Sequence, residues 1–305
     1  MSVPLIEIKD LKVDVPLRGG RAVPILKGVS FQILPGEAFG LVGESGSGKS
    51  VTSLAIMGLL KKPLKATGGQ ILYRGQDLLQ APKRTLRNLR GDRIAMIFQE
   101  PMTALNPLQT VGRQIAEMFV LHQGKTWAEA EKLAIEALAA VKVPNPDRRA
   151  TNYPHQMSGG LRQRVMIAMA LSCNPDLLIA DEPTTALDVT VQAEVLKLIR
   201  ELCAERGTAV LFISHDLGVI ASVCQRVGVM YSGVLVEEND TRALFSDPKH
   251  TYTKGLLGAL PRLGSRTSES RSRLVDIDSI IADRSVLTQE RYIAPRTTTE
   301  GGAAQ

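Results

Sequence analysis

Eight consecutive residues, Gly43-Glu44-Ser45-Gly46-Ser47-Gly48-Lys49-Ser50, bring three glycines, a lysine and a terminal hydroxyl together. Glycines let the backbone curl until successive N–H groups point inward, and amides turned that way cradle an anion. The spacing is Gly-x-x-x-x-Gly-Lys-Ser without substitution, the pattern of a phosphate-binding loop. Lys49 is then placed to reach the outer phosphates, and the Ser50 hydroxyl to ligate Mg2+. The loop needs a strand before it and a helix after it. Ala38 to Val42 reads as a short buried strand and Val51 to Met57 as a helix, whose start adds free amides and a positive dipole end.

A second group of polar residues follows apolar runs. Leu177-Leu178-Ile179-Ala180 reads as a buried strand ending in Asp181-Glu182. α/β sheets place their ligands at the carboxyl ends of such strands. Asp181 suits a Mg2+ ligand, directly or through water, and Glu182 suits a base that polarises an attacking water. Ala209 to Ile213 is another buried strand, ending in Ser214-His215-Asp216, which sets His215 at the same sheet edge as Asp181. Ser158-Gly159-Gly160 precedes a helix running from Arg162 towards Cys173 and offers a second anion-facing amide cluster. An ordinary helix cap by Ser158 is the alternative there.

The elements that must hold these groups are legible by period and punctuation. Leu5 to Val15 and Ile25 to Leu34 alternate as strands around the Arg18-Gly19-Gly20-Arg21 turn. Gly68-Gly69 and Arg74-Gly75 punctuate a further strand over Gln70 to Tyr73. Ile94 to Phe98 is a short buried strand ending at Gln99. Helical periodicity begins at Val111 and resumes from Trp127 to Val141, and Pro144-Asn145-Pro146-Asp147 closes that helix. Residues 101–157 therefore read as a helical subdomain inserted into an α/β core. Val227 to Tyr231 and Val234 to Val236 form a hairpin around Ser232-Gly233.

Composition bounds the function. The 305 residues are 44% hydrophobic, enough for a large core, and carry a net charge of +6. With 4% aromatics there is little to stack bases on, so nucleic acid is not an expected partner. The N-terminus has no signal-peptide pattern, and no apolar stretch reaches the ~20 residues needed to span a bilayer. Cys173, Cys203 and Cys224 have no metal-like spacing and read as reduced core thiols.

In order, the phosphate loop, Gln99, Ser158-Gly159-Gly160, Asp181-Glu182, Asp188 and His215 resemble the ATP-binding subunits of ABC transporters. The likeness covers residues 5–261. Gln99 to Pro107, Ser158 to Ala168 and His250 to Pro261 look like the dipeptide, oligopeptide and nickel importers. This resemblance implies a P-loop NTPase (RecA-like) core with an antiparallel β subdomain and the helical insert, and an ATP-binding domain over 1–261; the serine, threonine and arginine of 262–305 and its closing Gly-Gly-Ala-Ala read as a partly disordered tail. The resemblance implies ATP and Mg2+ as cofactors and hydrolysis that energises uptake of short peptides, or of nickel, glutathione or a related solute. A non-transport ATPase is the remote alternative; it would need a long coiled coil in the head or two heads in one chain.

The resemblance also implies roles. Each ATP would lie between one subunit's Gly43 to Ser50 and the other's Ser158-Gly159-Gly160. Gln99 would sense Mg2+ and the water, and the loop after it would touch a membrane subunit. Asp188 would communicate across the dimer, and His215 would hold the γ-phosphate. Implied partners are a second ATP-binding subunit, identical or paralogous, two permease subunits and an extracytoplasmic solute-binding protein, with this chain peripheral on the cytoplasmic face of the bacterial inner membrane. Three departures stand out. Leu161 replaces the usual Gln, Val15 occupies the position that commonly holds an adenine-stacking aromatic, and the tail lacks a cysteine cluster.

Overall fold

The computed structural model describes residues 3–98, 104–184, 189–258, 288 and 291–293. Its strands form two sheets. The first is antiparallel, in the order β2-β1-β4-β5, from β1 (Ile6–Pro16), β2 (Ala22–Ile33), β4 (Lys65–Tyr73) and β5 (Gln76–Asp77). The second has the order β11-β10-β9-β3-β8-β7-β6. It contains β3 (Ala38–Val42), β6 (Ile94–Ile97), β7 (Leu177–Asp181), β8 (Ala209–Ser214), β9 (Arg226–Tyr231), β10 (Val234–Asp240) and β11 (Tyr292–Ile293). From β9 to β6 the neighbours are parallel, whereas β10 returns antiparallel against β9.

Strands β3, β7 and β8 are apolar along most of their length because both faces of the sheet are covered. Successive side chains point to opposite sides, so each strand feeds two cores. Phe39, Leu41, Leu177, Ile179, Leu211 and Ile213 pack toward the antiparallel sheet, where Phe39 stacks on Phe31 of β2 at 5.0 Å. Val42, Leu178, Ala180, Val210 and Phe212 pack toward the helices on the other side. Cys173, Cys203 and Cys224 are buried free thiols, as expected from the sequence, and the last two belong to that second core.

The helices are α1 (Lys49–Ile56), α2 (Lys83–Leu89), α3 (Val111–Gln123), α4 (Trp127–Ala140), α5 (Pro146–Ala150), α6 (Gly159–Leu171), α7 (Val189–Arg206), α8 (Leu217–Val223), α9 (Thr241–Ser246) and α10 (Thr251–Gly258). Helices α3 to α5 make up the insert. Thr110 caps α3, and Thr126 with Glu129 forms a reciprocal capping box on α4. Ala130, Ala134 and Leu138 are the buried stripe of α4. The insert is tied to the core through Arg164 of α6, which donates to the Val141 carbonyl at 2.9 Å and meets Glu194 of α7 at 3.2 Å. Among the described residues no helix is long and apolar enough to cross a membrane.

Three expectations need correction. Gly68-Gly69 does not bound the third strand; it lies inside β4, opposite a bulge in β1. Gly69 sits at φ +84°, and a Cβ there would lie 2.4 Å from the Asp10 carbonyl oxygen, so only glycine lets the two strands stay paired. Pro144 to Asp147 is not wholly a loop, because Pro146 begins the short α5 with its fixed φ. Helix α6 starts at Gly159, three residues before Arg162, with Ser158 as its cap.

Candidate active site

Val42 ends β3 and the chain enters the loop through Gly43 at φ +149°. A Cβ on Gly43 would lie 2.2 Å from the Met230 carbonyl oxygen and 2.8 Å from Ser47 Oγ, so the first glycine is fixed by close approach to β9. Gly46, at φ +80°, has nothing within 4 Å of its Cβ position; here glycine serves the turn and leaves the space beside it open. Gly48, at φ +106°, brings the chain into α1 against Leu26. This is a cradle that side chains would fill.

Lys49 opens α1 and turns its side chain back into the loop. Its Nζ donates to the carbonyls of Gly43 and Glu44, each at 2.8 Å. Only 5% exposed, it carries a lowered pKa. Burial disfavours the charged form, and the negative charges of Glu182, Asp181 and Glu44 act against that. The next residue, Ser50, donates its Oγ to Asp181 Oδ1 at 3.2 Å, and Ser53, about one turn on, donates its Oγ to Oδ2 at 3.3 Å. Burial pushes the Asp181 carboxyl up, and these two hydroxyls together with Lys49 hold it down. Ser53 was not singled out by the motif, although its i+3 spacing puts it on the face of Ser50.

At the end of β7 the backbone turns sharply. Glu182 takes φ +46°, a left-handed conformation uncommon for a residue with a Cβ, and donates its amide to the Ile213 carbonyl of β8 at 2.9 Å. His215, just past β8, brings Nδ1 to 3.1 Å from Glu182 Oε1. The imidazole is largely exposed and the carboxylate largely covered. Asp216 beside it caps α8 through the amides of Gly218 and Val219. The structure therefore gathers the phosphate loop, Asp181, Glu182 and His215 at the carboxyl ends of β3, β8 and β7, which lie side by side.

Ser158 caps α6 by accepting the Leu161 amide at 3.4 Å. A Cβ on Gly160 would come within 3.1 Å of Val191 of α7, a tight contact. Nothing described joins Ser158-Gly159-Gly160 to the phosphate loop of the same chain. Gln99 and Asp188 lie outside the described residues. Val15 is half-buried in β1 opposite Val23.

Sequence reasoning missed the residues that brace the loop from behind. The Ser232-Gly233 turn has both residues at positive φ, and Gly233 donates its amide to the Ser47 carbonyl at 3.0 Å. Gly233 also accepts the Lys27 amide at 2.8 Å. Tyr252 of α10 accepts the Glu44 amide on its hydroxyl at 3.2 Å. The turn chemistry of Ser232-Gly233 marked a hairpin, but no spacing pointed from residue 233 or 252 to residues 44–47.

Comparison with known proteins identifies the family. Residues 26–185 match the family model described as ABC transporter, and residues 236–279 match oligopeptide/dipeptide transporter, C-terminal region. The chain is 51% identical over 279 residues to the probable peptide ABC transporter ATP-binding protein y4tR of Sinorhizobium fredii, covering 91% of this chain and 82% of that one. It is 49% identical over 266 residues to the oligopeptide transport ATP-binding protein OppD of Bacillus subtilis, covering 87% and 74%. Among solved structures, the dimeric post-hydrolysis state of the ATP-binding cassette MJ0796 bound to ADP and Pi superimposes with a TM-score of 0.69 at 29% identity, over 78% of this chain and 99% of that one. The chain belongs to the ATP-binding proteins of the ABC transporter family, and its own C-terminal region is of the oligopeptide/dipeptide kind.

Proposed function

We propose that this chain is the ATP-hydrolysing subunit of an importer that energises uptake of short peptides, working as a peripheral protein on the cytoplasmic face of the membrane. The observation that carries the reading is the convergence of Lys49, Ser50, Asp181, Glu182 and His215 on one sheet edge beside an open glycine cradle. Peptide cargo is supported by the names of the relatives and by the matched C-terminal region.

Within this site the loop amides and Lys49 bind the phosphates of ATP, exchanging the carbonyls of Gly43 and Glu44 for phosphate oxygens. Ser50 and Asp181 suit Mg2+, a hard cation that takes oxygen ligands and keeps several from water and phosphate. Among the described residues no group of three or more His, Cys, Asp or Glu could hold a metal alone, which fits an ion completed by nucleotide. When bound, Mg2+ neutralises charge on the phosphates. Glu182 orients and deprotonates the attacking water, and His215 holds Glu182 while its exposed face is free for the γ-phosphate. Ser158-Gly159-Gly160 completes the site of a second subunit, identical or paralogous, in a head-to-tail dimer. Gln99 and Asp188, outside the described residues, would respectively hold the water and Mg2+ and link the two sites.

Two permease subunits and an extracytoplasmic binding protein complete the importer. A cavity of about 260 Å³ lies where β6 leads towards Gln99, lined by Met57, Met96, Phe98, Met118, Met166 and Met169 among others. Methionines are flexible and polarisable, suited to gripping an apolar helix. We place the permease contact here, together with the loop after Gln99, of which residues 99–103 lie outside the described residues. Leu105, within the Gln99 to Pro107 stretch that resembles the importers' loop, is not exposed for docking; it is 3% exposed and belongs to the core beside this cavity. The test is uptake of a labelled dipeptide by cells lacking this gene. Loss of uptake, restored by the wild-type chain, supports the reading. Normal peptide uptake with loss of nickel or glutathione uptake would reassign the cargo.

A further inference from the structure

The two segments matched by separate family models, residues 26–185 and 236–279, touch at the phosphate loop through the Glu44 amide and the Tyr252 hydroxyl, 3.2 Å apart. Tyr252 is fully buried, and its position is set from β10 outward. Glu237 of β10, also fully buried, accepts the Lys249 amide on Oε1 at 2.9 Å and the His250 amide on Oε2 at 3.0 Å. His250 Nδ1 then accepts the Tyr252 amide at 3.1 Å. The Tyr252 ring packs 4.6 Å from the ring of Tyr231, at 44°. Tyr231 directly precedes the turn whose Gly233 amide holds the Ser47 carbonyl. The segment after β10 thus anchors the start of the loop at residue 44, and the β9–β10 turn anchors its middle at residue 47.

We propose that Tyr252 is a positioning residue for nucleotide binding, through which the C-terminal region sets the shape of the phosphate loop. This rests on the reading of that loop as the ATP site. Glu44 is the residue at which the chain leaves the tightly fixed Gly43, and Lys49 Nζ bonds the carbonyls of both. With the Glu44 amide held by a hydroxyl, the peptide units on either side of residue 44 keep one orientation, and Lys49 keeps its starting place. Burial pushes the phenol well above its ordinary range, so the Glu44 amide meets a neutral hydroxyl.

The test compares the full chain with Tyr252→Phe, which keeps the ring and removes the acceptor. MgATP affinity is read by titration calorimetry, kcat and KM in the assembled transporter, and Tm by scanning calorimetry. The expected result is about 3–10-fold weaker MgATP binding, the net worth of one hydrogen bond, with KM raised by the same factor and kcat within twofold. Glu44→Pro removes the donor instead, so Tyr252→Phe added to it should weaken binding no further. A lowered Tm with unchanged affinity would reduce Tyr252 to a packing residue and overturn the proposal. So would equal, additive losses in the two variants. A wild-type chain that binds no MgATP would instead overturn the reading of the loop itself.

Discussion

Glu182 Oε1 and His215 Nδ1 lie 3.1 Å apart, although the two residues leave different strands, β7 and β8. The pair forms because Glu182 adopts φ +46° immediately after Asp181 and its amide bonds the end of β8. One backbone turn therefore separates the Asp181 that faces Ser50 from the Glu182 that faces His215. Glu182→Gln keeps the size and the turn but removes the base. It should bind MgATP normally, hydrolyse it about 10²–10⁴-fold more slowly, and accumulate as an ATP-bound dimer. Steady-state hydrolysis by the purified transporter measures this; normal turnover would take the base role from Glu182.

Gly233→Ala tests the brace behind the loop. A Cβ at this position would lie 2.1 Å from the Ile25 carbonyl oxygen at a φ of +81°, so backbone must move. The left-handed conformation alone costs about 1–2 kcal/mol, and the displaced turn would also release Ser47. Urea unfolding should show the loss, and MgATP titration should show weaker binding. Gly20→Ala is the control. Its φ is +76° with nothing within 4 Å, so it should carry strain without any change in nucleotide affinity.

Phe98→Glu tests the permease contact. Phe98 lines the methionine-rich cavity and is 41% exposed, so the charge can stay in water in the free subunit. The variant should bind MgATP as the wild type does and fail to support peptide uptake. Leu105→Glu should behave differently, losing the folded subunit itself, because an unpaired charge would enter the core. Co-purification with the permeases separates the two outcomes. Unimpaired uptake by Phe98→Glu would move the docking surface elsewhere.

Tyr73 and Arg74, at the end of β4, both meet Asp176 just before β7, which ties the antiparallel sheet to the parallel one. Burial and the hydrogen bond to Asp176 raise the Tyr73 phenol to about 12. A phenol whose folded pKa exceeds its unfolded value contributes stability that is fully present below pH 10, the unfolded value, and is lost as pH rises from about 10 to about 12. Urea midpoints measured across that window should fall less steeply for Tyr73→Phe than for the wild type. Parallel curves would remove Tyr73 from this linkage.

The sequence was most legible where one element carries its own signal. The phosphate loop, the runs ending in Asp181 and Ser214, and the capped helices of the insert depend on local pattern, and they stand where the pattern put them. Contacts between segments distant in sequence were not legible. Gly69 looked like a boundary because a glycine pair usually ends a strand, yet its partner is a bulge about sixty residues earlier. Leu105 lies between Pro101 and Pro107, a pattern that reads as a loop, and only the packing of the insert shows it buried. Helix α2 has a polar exposed side and no caps, so it left little periodic trace. Tyr252 and Gly233 act on the phosphate loop across about 190 residues or more, a relation no spacing rule encodes.

The central claim is that ATP held by this loop drives peptide import, and Lys49 is the side chain on which it turns. In cells lacking the native gene, Lys49→Ala should be produced and folded as the wild type is. Because it loses the cation that meets the phosphates, uptake of a labelled short peptide should drop to the level of the deletion strain. Peptide uptake at the wild-type rate by cells carrying only Lys49→Ala would contradict the account.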